Sequence, residues 1–115
     1  MRTAPYLPSA GDLIWTDFDP TRGREQAGRR PALVISPAGF TENTGLAVVC
    51  PITSRVRQFP TSVLLPPGLP ITGEILTSHV RSIDTQARPI RYAGSGVPSE
   101  TAQLVRAKPY AFITI

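Results

Sequence analysis

Thirteen prolines spread through 115 residues are the feature that most limits how this chain can fold. Proline has no backbone N–H, and its ring clashes with the preceding turn, so it breaks a helix when it lies inside one. Because a proline recurs about every ten residues, few stretches are long enough for a helix. The sequence therefore favours short strands joined by turns.

The hydrophobic pattern agrees with this expectation and predicts a mainly β fold, a compact barrel or curled sheet with one main helix. The predicted strands cover residues 11–18, 31–36, 46–53, 61–65, 74–83, 88–92 and 111–115. Polar or turn-like segments separate them at 19–29, 37–45 and 54–60. Without repeats or a linker, residues 1–115 are expected to form a single domain, which matches the chain length.

The helix is predicted over residues 98–108. Pro98 suits a helix N-terminus, where its missing N–H does no harm. Leu104 and Val105 begin an apolar stripe, and Lys108 lies in the last turn, where a cation complements the helix dipole. Pro109 is expected to end the helix.

The charge is unevenly composed. The chain has a formal net charge of +4, and Lys108 is the single lysine among 12 basic residues. Arginine has a planar fork of donors that suits phosphate groups, so this composition favours a polyanionic partner. A solubilising surface encoded by a GC-rich genome explains it equally well.

Several site classes fit the sequence poorly. One cysteine, Cys50, and one histidine, His79, cannot form a zinc cluster, and Cys50 in its apolar run is expected to be a buried core residue. Asp17 and Asp19 have the spacing to bind Mg²⁺, but capping of a turn at the end of a strand is preferred. No phosphate-binding glycine loop and no cofactor motif is present. Without a long apolar segment, the protein is expected to be cytoplasmic.

Two polar loops that flank predicted strands contain the residue types that could act on a ligand. Arginines interspersed with an aromatic residue are typical of sites that hold single-stranded nucleic acid through phosphate contacts and base stacking. The first loop offers Arg22, Arg24, Glu25, Gln26, Arg29 and Arg30, and the second offers Thr53, Ser54, Arg55, Arg57 and Phe59.

Four blocks of residues are distinctive in their order: GDLIWTDFDP at 11–20, GREQAGRRPALVIS at 23–36, VCPITS at 49–54 and VRSID at 80–84. Together they resemble the MazF/PemK family of toxins. With the predicted C-terminal helix, these blocks cover nearly the whole chain in the family's order.

The resemblance implies a fold, an activity and partners. The fold would be an SH3-like, partly open antiparallel barrel of the CcdB/PemK type with a C-terminal helix, assembled as a homodimer. The activity would be metal-independent, sequence-specific cleavage of single-stranded RNA, such as mRNA, to a 2′,3′-cyclic phosphate and a 5′-hydroxyl. The partners would be that RNA and a MazE-like antitoxin whose acidic or apolar tail occupies the same groove.

Carried over residue by residue, the resemblance assigns Arg30 and Thr53 to the catalytic pair and Glu25 and Gln26 to the loop beside the groove. Arg30 offers a donor fork and Thr53 a hydroxyl to the charge that develops on the phosphorane. Arginine rarely loses its proton, so the general base stays open: Glu25 either accepts the proton or orients Arg30.

Two positions near the end of the sheet complete the candidate site. His79 stands where the family usually has glutamine, and a rim or core position is preferred over an RNA contact that would depend on pH. Arg81 follows in the family's late strand motif and is a candidate RNA contact. The cleavage motif cannot be carried over, because the loop after Thr53 varies in length among such toxins.

Two other functions compete with this interpretation. A CcdB-type barrel inhibits DNA gyrase by binding and cleaves nothing, and a plain SH3-like module would bind RNA without cutting it. Arg30 and Thr53 in their family context favour the nuclease.

Overall fold

The computed structural model describes residues 6–18 and 29–115. Within these ranges the chain forms seven strands and two helices. None of these elements exceeds nine residues, as expected from the frequent prolines. The strands are β1 Asp12–Asp17, β2 Arg29–Val34, β3 Leu46–Thr53, β4 Ser62–Leu64, β5 Glu74–Leu76, β6 Arg81–Asp84 and β7 Ile90–Gly96. The helices are α1 Ala38–Thr44 and α2 Ser99–Ala107, and short 3-10 turns occupy Thr77–His79 and Lys108–Ala111.

All strand pairs in the sheet are antiparallel. The hydrogen-bonded order is β4-β5-β3-β2-β1-β7, with β6 also paired to β3. Within the described part of the chain, β4 and β7 are not paired with each other, so the sheet is not closed. This arrangement confirms the expected mainly β, partly open fold with a C-terminal helix.

The strand β3 is shared by three neighbours. Along one edge it pairs with β2, and along the other it pairs with β6 near its start and β5 near its end. Six positions separate Ile75 from Arg81, whereas their partners Ile52 and Val49 are three positions apart. The 3-10 turn at Thr77–His79 takes up the extra residues, so the single strand predicted over 74–83 is wrong: the segment forms two strands.

Two further secondary-structure predictions are wrong. The turn-like segment 37–45 contains α1, which follows Pro37 and ends at Gly45 with a left-handed φ of 77°. Gly45 donates its N–H to the Thr41 carbonyl and so closes the last turn, a function that glycine performs without steric cost. The signals taken for a loop, a proline before and a glycine after, are those of a short helix.

The C-terminal segment 111–115 is not a strand. The N–H groups of Phe112 and Ile113 both donate to the Pro109 carbonyl, which continues the helix in a tighter turn instead of offering donors to the sheet. Tyr110, Ile113 and Ile115 are consequently exposed.

Both faces of the sheet are covered by apolar side chains. Leu13, Leu33 and Cys50 belong to one core cluster, whereas Ile14 and Val49 belong to the other. Leu13 and Ile14 therefore face opposite sides of the sheet, as successive residues of a strand do. The predicted burial of Cys50 is confirmed. Burial raises the pKa of the Cys50 thiol to about 11, so this cysteine is a poor nucleophile at neutral pH.

None of the helices in the described ranges is long and apolar enough to span a bilayer.

The fully buried Leu33 predicts a large stability difference from an exposed leucine of the same sheet. Leu33→Ala should lower the free energy of unfolding by about 2–5 kcal/mol, because it removes packed methyl groups and leaves a cavity. The control Leu64→Ala should cost less than about 1 kcal/mol, since Leu64 is 56% exposed. Urea unfolding of both variants gives the comparison, and equal losses would contradict the core assignment.

Candidate functional site

Arg30 and Thr53 lie on neighbouring strands. The antiparallel register pairs Ala32 with Pro51 and Val34 with Val49. If this register is extended by two residues from the pair Ala32 and Pro51, Arg30 lies opposite Thr53. The strand β2 begins at Arg29, two residues earlier than predicted, so Arg30 is held by a strand and not by the loop before it.

The same register decides which side of the sheet these residues occupy. Side chains two positions apart share a face of a strand, so Arg30 lies on the face of Ala32, and Thr53 lies on the face of Val49. Ala32 and Val49 pack in one buried cluster. We call the side of this cluster the site face. Arg81 also lies on it, because its direct partner across the strands is Val49.

A cleft of about 210 Å³ opens at the end of β3. Five of the predicted site residues line it together with Glu74 and Leu76: Thr53, Arg55, Arg57, Phe59 and His79. The structure therefore brings together the second polar loop and the late histidine, which are 20 or more residues apart in sequence. His79 is exposed in the 3-10 turn, so it lies at the rim of the cleft and not in the core.

The remaining predicted residues lie outside the cleft lining. Arg29, Arg30, Ser54 and Arg81 are exposed on the strands or loop around it. The other four candidates lie outside the described residues: Arg22, Arg24, Glu25 and Gln26.

The hydroxyl of Thr53 has a fixed position. Its Oγ1 accepts the N–H of Arg55 at 3.1 Å, which closes a small turn at the end of β3. Because a hydroxyl both accepts and donates, this bond leaves the Thr53 proton available to a ligand in the cleft.

Sequence analysis missed Glu74. This residue is the direct cross-strand partner of Thr53, and its side chain is only 1% exposed. Its carboxylate accepts the N–H of Arg57 at 3.0 Å and the N–H of Gln58 at 2.8 Å. The sequence offered no signal for this role, because a glutamate at the start of a strand is usually solvated.

Sequence analysis also assigned Lys108 only to the helix end. Its Nζ donates to the Pro60 carbonyl at 2.8 Å, so the end of α2 is tied to the second polar loop. No pattern in the sequence connects residues 48 positions apart.

Phe18 and Arg81 form another contact on the site face. The Arg81 guanidinium carbon lies 5.2 Å from the centre of the Phe18 ring, within the range of a cation–π interaction. The ring covers one side of the planar guanidinium, whose N–H donors lie in its plane, where they can contact an anion.

The cleft is basic. Arg55 and Arg57 line it, and both oxygens of the lining carboxylate, Glu74, already accept backbone N–H groups. Within residues 6–18 and 29–115, no group of three His, Cys, Asp or Glu side chains is close enough to hold a metal. Asp19, one of the two weighed aspartates, lies outside these ranges.

A larger cavity of about 790 Å³ lies elsewhere and contains none of the predicted site residues. It is lined by both acidic and basic side chains, including Glu42, Asp84 and Arg88. It borders the N-terminal arm at Tyr6, whose phenol donates to Asp12. Burial and this hydrogen bond raise the pKa of Tyr6 well above its ordinary value, so its phenol stays protonated. We therefore place the candidate site at the smaller cleft, where the predicted residues converge.

Comparison with known protein families gives a match over most of the chain. The family model described as "PemK-like, MazF-like toxin of type II toxin-antitoxin system" matches residues 9–109. The chain belongs to this family. The resemblance predicted from the sequence blocks is thereby confirmed.

Relatives within the PemK/MazF family cover nearly all of the chain. The endoribonuclease toxin MazF of Escherichia coli K12 is 44% identical over 103 residues, which are 90% of this chain and 91% of that protein. The endoribonuclease MazF9 of Mycobacterium tuberculosis is 35% identical and covers 84% of this chain and 89% of its own length.

Solved structures of the family have the same fold. The crystal structure of MazF from Deinococcus radiodurans superposes with a TM-score of 0.84 at 40% identity, over 96% of this chain and 100% of that one. One MazE–MazF structure from the same organism gives a TM-score of 0.84 over 94% of this chain and 97% of that one.

The close approach of Gly73 to the end of β3 generates a prediction. A Cβ atom added to Gly73 would lie 2.1 Å from the Thr53 carbonyl oxygen, and its φ of 128° is one that other residues rarely adopt. Gly73→Ala should therefore force β5 away from Thr53. It should lower the free energy of unfolding by about 2 kcal/mol more than a substitution that introduces backbone strain alone.

The control is Gly94→Ala, because Gly94 has a φ of 99° and nothing within 4 Å of the added Cβ. Thermal unfolding measures both variants. If Gly73→Ala is no more destabilising than Gly94→Ala, the packing of β5 against Thr53 is wrong.

Proposed function

We propose that this PemK/MazF-family toxin is an endoribonuclease that cuts single-stranded RNA, such as mRNA, at short sequence motifs and so inhibits translation and growth. The observation that carries the proposal is the register of β2 and β3, by which Arg30 and Thr53 share one face of adjacent strands, with Thr53 in the lining of a basic cleft. The names of the relatives support it, since MazF of E. coli and MazF9 of M. tuberculosis are both endoribonucleases.

The reaction that fits these residues is an internal transfer of the phosphate. The 2′-oxygen of the nucleotide before the cut forms a bond to phosphorus, and the bond from phosphorus to the 5′-oxygen of the next nucleotide breaks. The 2′-hydroxyl gives up its proton, and the leaving 5′-oxygen takes one. The products are a 2′,3′-cyclic phosphate and a 5′-hydroxyl, and no metal is needed for the balance.

Arg30 and Thr53 supply the stabilisation that this step needs. Negative charge develops on the phosphorane oxygens, and donors already aimed at that charge contribute about 3 kcal/mol each. The fork of Arg30 suits two of these oxygens, and the free proton of Thr53 suits a third position. Arg30 is also our candidate for the acid that protonates the 5′-oxygen.

Glu74 is a poor candidate for the base, because both of its oxygens already accept N–H groups and it is buried. Glu25 keeps the two roles considered for it: it accepts the 2′ proton, or it orients Arg30.

The surrounding residues would hold the RNA strand. Arginines contact phosphates, and the half-exposed Phe59 offers a ring on which a base can stack. The residues assigned to this track are Arg22, Arg24, Gln26, Arg29, Ser54, Arg55, Arg57, Phe59, His79 and Arg81.

The partners follow from the same surface. MazE–MazF complexes are known for the D. radiodurans protein, and we propose a MazE-like antitoxin whose acidic or apolar tail occupies the basic cleft. We further propose a homodimer, supported by the exposed apolar side chains of Tyr110, Ile113 and Ile115. The toxin would act in the cytoplasm, where its RNA substrate is, as a single domain.

The gyrase-inhibitor alternative is not favoured, because the relatives described above are named as endoribonucleases.

Cleavage is expected to continue in excess EDTA and to leave 5′-hydroxyl ends. The proposed step uses donors of the chain itself, and the sequence has one cysteine and one histidine. Labelled RNA is incubated with the purified toxin, and its 5′ ends are tested for direct phosphorylation by a polynucleotide kinase. Activity that needs Mg²⁺ and leaves 5′-phosphates would overturn the mechanism and make Asp17 and Asp19 candidate ligands.

The catalytic pair gives the sharpest expectation. Arg30→Ala should abolish cleavage, and Arg30→Lys should restore it only in part, since an ammonium lacks the planar fork. Thr53→Val keeps the side-chain shape and removes the hydroxyl, so it should lower the rate about a hundredfold or more. RNA binding should weaken much less, because several other arginines contact the phosphates.

The matched control is Arg91→Ala. Arg91 is exposed and pairs with Trp15, so its side chain lies on the sheet face opposite to that of Arg30, which pairs with Thr16. Cut RNA, bound RNA and melting temperature are measured on the same preparations. Near wild-type cleavage by Arg30→Ala, or a loss of cleavage matched by a loss of folding, would show that Arg30 is structural.

A further inference from the structure

We infer that Glu74 is a positioning residue: its buried carboxylate holds the loop 54–60 in the conformation that binds RNA beside Thr53. This inference rests on the proposed function. We call residues 54–60 the cleft loop. Its Arg55, Arg57 and Phe59 line the cleft, so the conformation of this one loop decides where a phosphate and a base can lie.

The carboxylate binds the middle of the cleft loop. One oxygen of Glu74 accepts the N–H of Arg57, and the other accepts the N–H of Gln58. Gln58 has a φ of 55°, a left-handed conformation that costs a non-glycine residue about 1–2 kcal/mol. Hydrogen bonds to a charged acceptor are strong enough to offset that cost. The hydrogen bonds to Glu74 therefore stabilise the left-handed conformation of Gln58.

The two ends of the cleft loop are held separately. Thr53 Oγ1 fixes the start through the Arg55 N–H, and Lys108 Nζ fixes the end through the Pro60 carbonyl. Ser62 adds a backbone bond from its N–H to the Phe59 carbonyl at 2.9 Å. Glu74 thus supplies the central restraint, at Arg57 and Gln58, between the two ends of the loop.

Glu74 is also joined directly to the catalytic strand. Its backbone pairs with that of Thr53, so the same residue sets the strand end and the loop that follows it. Because the side chain is 1% exposed and both oxygens are occupied, Glu74 does not touch RNA itself. It acts by ordering the loop before RNA arrives, which reduces the entropy lost on binding.

The inference predicts a separation of binding from chemistry. Glu74→Gln keeps the side-chain size, but its amide has only one oxygen. At least one of the two backbone N–H groups therefore faces the amide nitrogen and loses its hydrogen bond. The loss should raise KM for a short RNA substrate about tenfold or more, the equivalent of one hydrogen bond to a charged group. The value of kcat should stay within about threefold, because Thr53 and Arg30 are untouched. Arg30→Lys, which leaves every described contact of the cleft loop intact, should do the opposite and lower kcat far more than it changes KM.

A second measurement follows the loop itself. Hydrogen exchange of the Arg57 and Gln58 amides, measured by NMR without RNA, should become at least about tenfold faster in Glu74→Gln. The amide of Cys50 in the centre of β3 should be unchanged. The control Glu100→Gln, at the exposed start of α2, should alter neither these amides nor KM.

Each outcome decides a separate point. We call the contact of the Glu74 carboxylate with the Arg57 and Gln58 N–H groups the clamp. An unchanged exchange rate of these two amides would show that the clamp does not hold the loop. Faster amide exchange with an unchanged KM would show that the clamp has no role in RNA binding. A fall in kcat alone would mean that Glu74 acts on the reaction and not on the loop. If Glu74→Gln does not fold, Glu74→Asp keeps the charge but shortens the side chain by one methylene, so its carboxylate no longer reaches both backbone N–H groups. It should raise KM in the same way, and an unchanged KM would then overturn the inference.

Failure of the proposed function gives a different result. If the wild-type toxin does not cut RNA, the exchange measurement still tests the clamp, and binding of an RNA with 2′-deoxy substitution tests the cleft. Faster amide exchange with unchanged RNA binding by Glu74→Gln would then reject the positioning role independently of cleavage.

Discussion

The pairing of β3 with three other strands is the constraint on which the structure depends. One edge of β3 is occupied by β2, and the other is divided between β6 and β5. A strand held along both edges cannot shift its register without moving every neighbour, and a shift of one residue would also move each of its side chains to the opposite face of the sheet. The end of β3 is therefore a fixed point, and Thr53 is located there.

The candidate site is built where this rigid strand becomes a loop. Thr53 is the last residue of β3, and the cleft loop begins directly after it. Loops at the ends of strands suit ligand binding because they present side chains while the sheet fixes their origin. In this toxin the loop is itself ordered, through Glu74 from the next strand and Lys108 from the end of α2. Sheet and helix together give a polar loop a defined shape.

The fold could be predicted largely because prolines and alternating apolar residues limit the choices. Pro98 and Pro109 bound α2 almost as expected, and Leu13 and Ile14 separate into the two core clusters that their alternation predicts. The errors fall where local signals are ambiguous: Pro37 and Gly45 flank a short helix as readily as a turn. The split of 74–83 could not be predicted, since it depends on how β5 and β6 divide one edge of β3.

The sequence by itself determined the family and the strand-rich fold, because these follow from residue order and from the periodicity of apolar side chains, and it singled out Arg30 and Thr53 as candidates for the site. Only the tertiary structure decided that Arg55, Phe59 and His79 share one cleft and that Glu74 holds the loop between them. Such contacts join residues distant in sequence, and their formation depends on the register of strands. A buried carboxylate bound to two backbone N–H groups leaves no local pattern, since its partners offer only the peptide groups that every residue has.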